Sequence, residues 1–139
     1  MFKLQYIFFV VIISLFLLQP AVACECDLEV LEIEYAVEHA DVVFIGMVHS
    51  IEDLEENGRK KITFKIMKSW KKPLPYFIHM TTAAEEVDCG FLFNLFDTYL
   101  VFASGADDKE LSTGICTRTH LLHDEDEDLK YVHSVLKGY

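Results

Sequence analysis

The sequence is poor in basic residues. Lys and Arg number 12 against 23 Asp and Glu, which leaves a formal net charge of −11 at neutral pH. Binding to phosphates needs clustered Lys and Arg side chains, so this balance argues against a nucleic acid or an anionic membrane as the partner. Internal repeats and low-complexity linkers are also missing. We therefore expect one ordinary domain that does not bind nucleic acid.

The motifs of common enzyme classes are absent as well. The sequence contains no His-Glu-x-x-His zinc motif, no Gly-x-Ser-x-Gly nucleophile elbow, no P-loop and no dinucleotide fingerprint. Carboxylates are abundant, but no pair of them stands out as a hydrolytic pair. The histidines are scattered along the chain, at His39, His49, His79, His120, His123 and His133. We expect a protein that is not an enzyme and has no cofactor of its own.

The acidic run at residues 124–128 does not match a calcium-binding loop. An EF-hand loop needs Gly at its sixth position and Glu at its twelfth, and counting from Asp124 these positions hold Leu129 and Val135. Acidic side chains are favourable at the start of a helix, where they face the positive end of the helix dipole. The run is therefore interpreted as a helix N-terminus.

The first 23 residues have the anatomy of a secretory signal peptide. Lys3 forms a short positive region, residues 6–18 form a nearly continuous apolar run, and Ala21-Val22-Ala23 has the small-x-small pattern that signal peptidase cuts. The apolar run is shorter than the roughly 20 residues that span a bilayer. We expect cleavage after Ala23 and a secreted, extracellular protein with one mature domain at residues 24–139. A retained membrane anchor is the alternative.

All 4 cysteines follow this cleavage site, and in an oxidising compartment we expect them to form disulfides. They are Cys24, Cys26, Cys89 and Cys116. A bridge between Cys24 and Cys26 would close a very small, strained ring, so each should pair with a different distant cysteine. Two pairings then remain open. A four-thiolate zinc site is the alternative, although its usual signature has two closely spaced pairs and this sequence has one.

The hydrophobic pattern predicts a mainly β domain between two helices. Helices are expected over residues 27–40 and 124–136. Gly46 predicts a bulge or a bend in the first strand, and Asn57-Gly58 predicts a hairpin after it. Short strands with such bends favour a small closed barrel over an open sandwich. The five or six strands are expected to include residues 42–50, 62–68, 76–82, 97–103 and 111–119.

The new N-terminus has chemistry of its own. Cleavage after Ala23 would leave Cys24 with a free α-amine, and the amine and carbonyl of one residue can chelate a metal ion in a five-membered ring. Such a group is useful only if it is held still, because a free terminus loses entropy when it is ordered on binding. Disulfides at Cys24 and Cys26 would hold it.

Several segments, in this order, resemble the tissue inhibitors of metalloproteinases, and more broadly the netrin-like domains that are built on an OB-fold barrel. They are Cys24-x-Cys26 at the mature start, Ala40-Asp41-Val42-Val43 at the first strand, Cys89-Gly90, Tyr99-Leu100-Val101 and Cys116. The resemblance covers residues 24–139 and implies a five- to six-stranded OB-fold barrel. It also implies the disulfides Cys24–Cys89 and Cys26–Cys116.

The resemblance further implies a function, the inhibition of a zinc metalloendopeptidase. The amine and carbonyl of Cys24 would bind the catalytic zinc of the protease, and Glu25 would point into the pocket beside that zinc. The zinc belongs to the partner, and the inhibitor is expected to be a monomer. The flanking contacts would come from Cys26, Asp27, Val87 and Asp88, with Cys89 fastening this edge.

Glu25 departs from the family pattern, which usually has Thr or Ser at this position, and the family's third disulfide is absent. One alternative function is therefore a netrin-like extracellular binding module that inhibits no protease. Another alternative is a lipid anchor, with Ala21-Val22-Ala23-Cys24 as a lipobox. Lipidation would use both the amine and the thiol of Cys24, so it excludes the chelation mechanism and a disulfide at Cys24.

Overall fold

The structure, a computed structural model, describes residues 1, 3, 5, 23–55, 57–105 and 111–139. Apart from residues 1, 3, 5 and 23, the predicted signal peptide lies outside the described residues. No helix in the described part of the chain combines the length and the apolar character needed to cross a membrane.

Most of the regular structure is antiparallel β-sheet. The strands are β1 (Val42–Leu54), β2 (Arg59–Trp70), β3 (Phe77–Ala83), β4 (Thr98–Ala103) and β5 (His120–Leu121), and they form one sheet in the order β3-β2-β1-β4-β5. Helix α1 (Ile33–His39) precedes the sheet and helix α2 (Glu127–Val135) follows it. The prediction of a mainly β domain with a helix near each end is confirmed.

Strand β1 is the central strand of the sheet, and it has a bulge at Gly46. The strand pairs with β2 on one side and with β4 on the other, and its register with β2 shifts between Ile45 and Gly46. A Cβ atom on Gly46 would lie 2.9 Å from the ring of Phe44 and 3.0 Å from that of Phe64. The bulge that the sequence predicts therefore coincides with a place where two core aromatic rings leave no room for a side chain.

The described sheet is not closed into a barrel, in contrast to the closed barrel that the sequence predicts. Between the β3 edge and the end of β4, the contacts are two isolated bridges made by Ser112, one parallel to Thr81 and one antiparallel to Ser104. The strand predicted at residues 111–119 is therefore wrong in most of its length. Its second half contains a short 3-10 helix at Ile115–Thr117.

Threonine hydroxyls explain why that segment needs no strand ladder. The hydroxyl of Thr113 donates to the carbonyl of Phe102 at 2.9 Å, and the hydroxyl of Thr119 accepts the backbone N–H of Phe102 at 3.0 Å. These side chains satisfy the backbone groups of a buried β4 residue that a neighbouring strand would otherwise pair. The hydroxyls of Thr113 and Thr119 also bond to each other at 2.8 Å.

Apolar side chains pack on both faces of the sheet. One face holds the larger core, which includes Phe44, Phe64 and Val101. The other face carries Val43, Trp70, Leu100 and Phe102, and it is covered by Ala36, Val37 and Ala40 from the α1 region and by Val132 of α2. Because adjacent strand residues point to opposite faces, residues 42–48 of β1 and most of β4 are nearly continuous apolar runs.

The N-terminal helix predicted at residues 27–40 is divided in two. A 3-10 helix spans Leu28–Leu31, and Glu32, with ψ of 141°, is extended and separates it from α1. The C-terminus of α1 is capped by Lys71, whose Nζ donates to the carbonyl oxygens of Glu38 and Ala40. Partial burial of this ammonium lowers the pKa of Lys71, although Asp41 and Glu38 oppose the shift.

Candidate functional site

Two disulfides fasten the segment that begins at Cys24. Cys24 is bonded to Cys89 and Cys26 to Cys116, with Cα–Cα distances of 5.2 and 5.4 Å. This is the pairing that the resemblance implies. The bridges lie side by side, since the Sγ atoms of Cys24 and Cys116 are 3.9 Å apart. Residues 24 and 26 are thereby tied to two different loops of the domain.

The loop that receives Cys24 has a tightly bonded backbone. Cys89 follows the 3-10 helix Glu86–Asp88 and has a left-handed conformation with φ of 63°. Its N–H donates to the carbonyl of Glu86. The N–H of Gly90 donates to Glu85 at 3.0 Å. A Cβ atom on Gly90 would overlap the carbonyl oxygen of Ala83, so only glycine lets this turn sit against the end of β3.

The two receiving loops also contact each other directly. The N–H of Ile115 donates to the carbonyl of Cys89 at 3.1 Å, and a Cβ atom on Gly114 would overlap the same carbonyl oxygen. The loop with Cys89 and the loop with Cys116 are therefore held together by their backbones as well as by the sulfur atoms.

The residues that the sequence predicts at the site are partly exposed. Glu25, Asp27, Asp88 and Cys89 are exposed, whereas Cys24 and Cys26 are half-buried. Val87 lies inside the 3-10 helix Glu86–Asp88, next to Asp88. The disulfides thus bring residues 24–27 to the loop at residues 85–90 and leave the side chain of Glu25 in solvent.

All the charged residues of this edge, at residues 23–32 and 84–90, are acidic. Residues 23–32 and 84–90 contain no Lys, Arg or His. Their acidic side chains are all exposed, at Glu25, Asp27, Glu29, Glu32, Glu85, Glu86 and Asp88. Like charges in adjacent segments create a negative potential at this surface, which favours the binding of a positively charged partner.

Arg118 binds the segment that follows Cys26, at Leu31, and the sequence reasoning did not identify it. Its guanidinium binds Asp128 of α2 through Nε and Nη2, at 2.6 and 2.8 Å, and its Nη1 donates to the carbonyl of Leu31. The hydrogen bonds that the guanidinium donates to Asp128 raise the pKa of Arg118. Arg118 lies two residues beyond Cys116, so the disulfide Cys26–Cys116 and the ion pair Arg118–Asp128 fasten the same loop.

The acidic run at residues 124–128 is part of a helix start, as the sequence predicts. Asp126 is the N-cap of α2 and accepts the N–H of Leu129 at 2.9 Å, while its other oxygen lies 2.7 Å from Nε2 of His120. Burial alone would raise the pKa of Asp126, but the hydrogen bonds from Leu129 and His120 outweigh it and lower that pKa.

Sulfur atoms form the one group of potential metal ligands in the described part of the chain. The Sγ atoms of Cys24, Cys89 and Cys116 all lie within 4.8 Å of one another. In the structure these sulfurs are disulfide-bonded, and within the described residues no cysteine is free. The histidines and carboxylates near α2 do not form such a group.

Comparisons with known proteins do not place the chain in a family. A scan against protein-family models found no match, and a search of curated proteins found none either. The likeness to netrin-like inhibitors therefore depends on the residues named above.

Proposed function

We propose that the mature chain is a secreted, non-enzymatic, netrin-like OB-fold domain that inhibits a zinc metalloendopeptidase. One observation carries the proposal: disulfides fasten the residues on both sides of Glu25, at Cys24 and at Cys26, while Glu25 itself is exposed. A terminal tripeptide fixed in this way presents its first residue and its second side chain to a partner with little further loss of entropy.

The strand connections support the OB-fold part of the proposal. An OB-fold is a five-stranded, partly open Greek-key barrel. The two bridges of Ser112, parallel to β3 and antiparallel to the end of β4, lie in the gap between the outer strand β3 and β4. Longer pairing at this point would connect β3 to the end of β4 and complete such a barrel.

The chemistry of the terminus supports the inhibitor part. After cleavage behind Ala23, the α-amine and carbonyl of Cys24 form a bidentate ligand. The catalytic zinc of a protease keeps an open coordination position that normally holds water, and this ligand would occupy it. The partner is thus a zinc metalloendopeptidase, the zinc is the partner's, and the inhibitor acts as a monomer with no cofactor of its own. The contact edge comprises Cys24, Glu25, Cys26, Asp27, Val87, Asp88 and Cys89.

The decisive experiment changes the terminus by a single residue. Two forms of the purified protein, one beginning at Cys24 and one beginning at Ala23, are titrated against a panel of zinc endopeptidases. The extra residue moves the amine away from the carbonyl of Cys24, so inhibition should weaken by about 100-fold or more. Both forms should show the same melting temperature and two intact disulfides by mass. Equal inhibition by the two forms would exclude chelation by Cys24.

A second function is favoured by the charge of this edge. Glu25 is a carboxylate where a largely apolar pocket would receive it, and an unpaired buried charge is costly. An extracellular netrin-like binding module for a positively charged partner would tolerate it, and the acids at Asp27 and Asp88 fit that reading. Absence of inhibition by both forms across the panel, with the disulfides intact, would favour the binding module.

A lipid-anchored form of the binding module differs from the disulfide-bonded form in the covalent partner of the Cys24 sulfur. The thiol of Cys24 is used in the bridge to Cys89, and a thioether-linked lipid would need the same sulfur. Intact-mass analysis of the native protein separates the two: a lipid adduct on Cys24 excludes both the bridge and the inhibitor, and two disulfides with no adduct exclude the lipid.

A further inference from the structure

The sulfur atoms of the two disulfides lie close to the geometry of a metal–thiolate centre. A zinc ion bound by four thiolates at about 2.3 Å separates neighbouring sulfurs by about 3.8 Å in a tetrahedron. The Sγ atoms of Cys24 and Cys116 belong to different bridges and are already 3.9 Å apart. Cys89 joins them in a group of three whose sulfurs lie within 4.8 Å of one another.

We propose that, when both disulfides are reduced, these sulfurs form a binding site for one thiophilic divalent ion, Zn²⁺ or Cd²⁺. Cys24, Cys89 and Cys116 supply three ligands, and Cys26, which is bonded to Cys116 in the oxidised chain, supplies the fourth. The proposal is independent of protease inhibition, which uses the oxidised form and the amine of Cys24 rather than its sulfur.

The step that opens the site is balanced by an external reductant. Each disulfide takes up two electrons and two protons to give two thiols, and a water-soluble phosphine supplies the electrons while water supplies the oxygen of the phosphine oxide. Metal binding then replaces the thiol protons, because the thiolate is the ligand, and up to four protons leave per ion bound. The disulfides and the metal centre use the same sulfurs, so the two states exclude each other.

Contacts that do not involve sulfur keep the ligands together after reduction. The loop of Cys89 is bonded to the loop of Cys116 through the N–H of Ile115. The terminal segment is held by Arg118, which donates to Leu31 and is anchored on Asp128. None of these hydrogen bonds involves a sulfur atom, so we expect them to hold the two loops and the chain at Leu31 in place after reduction and to lower the loss of entropy on metal binding.

The surrounding charge also favours a cation. The exposed carboxylates of Glu25 and Asp88 flank the cysteines at both sides, and no Lys, Arg or His lies in residues 23–32 or 84–90. A negative potential raises the local concentration of divalent ions and speeds their association. The final complex of one Zn²⁺ with four thiolates is itself negative, so the thiolates, and not the acids, supply the affinity.

The test compares oxidised and phosphine-reduced protein, purified after export and kept free of oxygen. Zn²⁺ affinity is measured by competition with a chelating dye, and Co²⁺ is used as a spectroscopic probe. The reduced protein should bind one ion per chain at least about 100-fold more tightly than the oxidised protein. Its Co²⁺ complex should show thiolate-to-metal charge transfer and the strong visible bands of tetrahedral cobalt. Zn²⁺ should raise the melting temperature of the reduced protein.

Matched variants identify the ligands. Cys116→Ser should weaken Zn²⁺ binding to the reduced chain by about 100-fold, whereas His123→Ala, which removes an exposed potential ligand outside the group, should leave it unchanged. The spectrum of the unmutated Co²⁺ complex keeps the test valid if Cys116→Ser fails to fold. The proposal is overturned by equal affinity in the oxidised and reduced states, by an octahedral cobalt spectrum, or by equal affinity of the reduced chain in urea.

Discussion

Arg118 and Asp128 form a two-pronged ion pair, with Nε–Oδ2 and Nη2–Oδ1 distances of 2.6 and 2.8 Å. The remaining nitrogen of the guanidinium donates to the carbonyl of Leu31. One side chain therefore joins α2, the loop that follows Cys116, and the N-terminal segment. A planar fork with a third donor is a geometry that Arg provides and Lys does not.

We expect Arg118→Lys to lower the free energy of unfolding by about 1–3 kcal/mol, because one ammonium cannot replace the fork and the bond to Leu31 together. Urea denaturation measures the loss. The control is Lys130→Met, which removes exposed ion pairs with Glu125 and Glu127 and should cause no measurable change. A loss of the same size in both variants would show that Arg118 contributes only as a surface charge.

Asp126 should make the protein sensitive to acid. Its pKa is lowered in the folded state, so as the pH falls below the ordinary carboxyl value near 3.8 the unfolded chain takes up the proton first. The stabilisation is fully present above that pH and is lost as the pH falls through the lower pKa of the folded state. Asp126→Asn keeps an N-cap oxygen but does not titrate. Its unfolding free energy should therefore depend less steeply on pH below 4 than that of the unmutated protein, as measured by urea denaturation. Parallel pH curves would contradict this role.

Gly90→Ala should destabilise the edge by about 3 kcal/mol, because the new methyl group meets backbone carbonyls that cannot rotate away. Thermal and urea unfolding measure this loss, and inhibition should fall with it if Cys89 positions the terminus. Gly58→Ala is the control. That glycine has φ of 60° but open space around it, so the substitution adds only conformational strain, of about 1 kcal/mol. Equal losses would mean that the overlap at Gly90 is relieved by a shift of the loop.

Local sequence patterns were sufficient for the strands that bury apolar side chains. Strand β4 matches its prediction closely, since Tyr99, Leu100 and Val101 belong to a short apolar run that is typical of a buried strand. The bend at Gly46 was also predictable, because a glycine inside an apolar strand signals a bulge. Both features depend on neighbours close in sequence.

Features that depend on distant partners were missed. The segment at residues 111–119 looks like a strand by composition, but the hydroxyls of Thr113 and Thr119 bind Phe102 in place of a ladder. Nothing in the local pattern shows that a threonine will find a β4 backbone group. Arg118 was missed for the same reason, since its partners Leu31 and Asp128 lie far apart in sequence.

Glu25→Thr should improve inhibition of proteases with an apolar pocket beside the zinc. The substitution removes a charge whose burial costs several kcal/mol, so the inhibition constant should fall by at least about tenfold. Glu29→Thr is the matched control, because it removes the same charge from an exposed site in the neighbouring 3-10 helix. Titration against the same panel should show less than about a twofold change for this control, since exposed charges on a rim contribute little to affinity. If both variants improve inhibition equally, the acidic edge acts through its overall potential, and Glu25 does not enter the pocket.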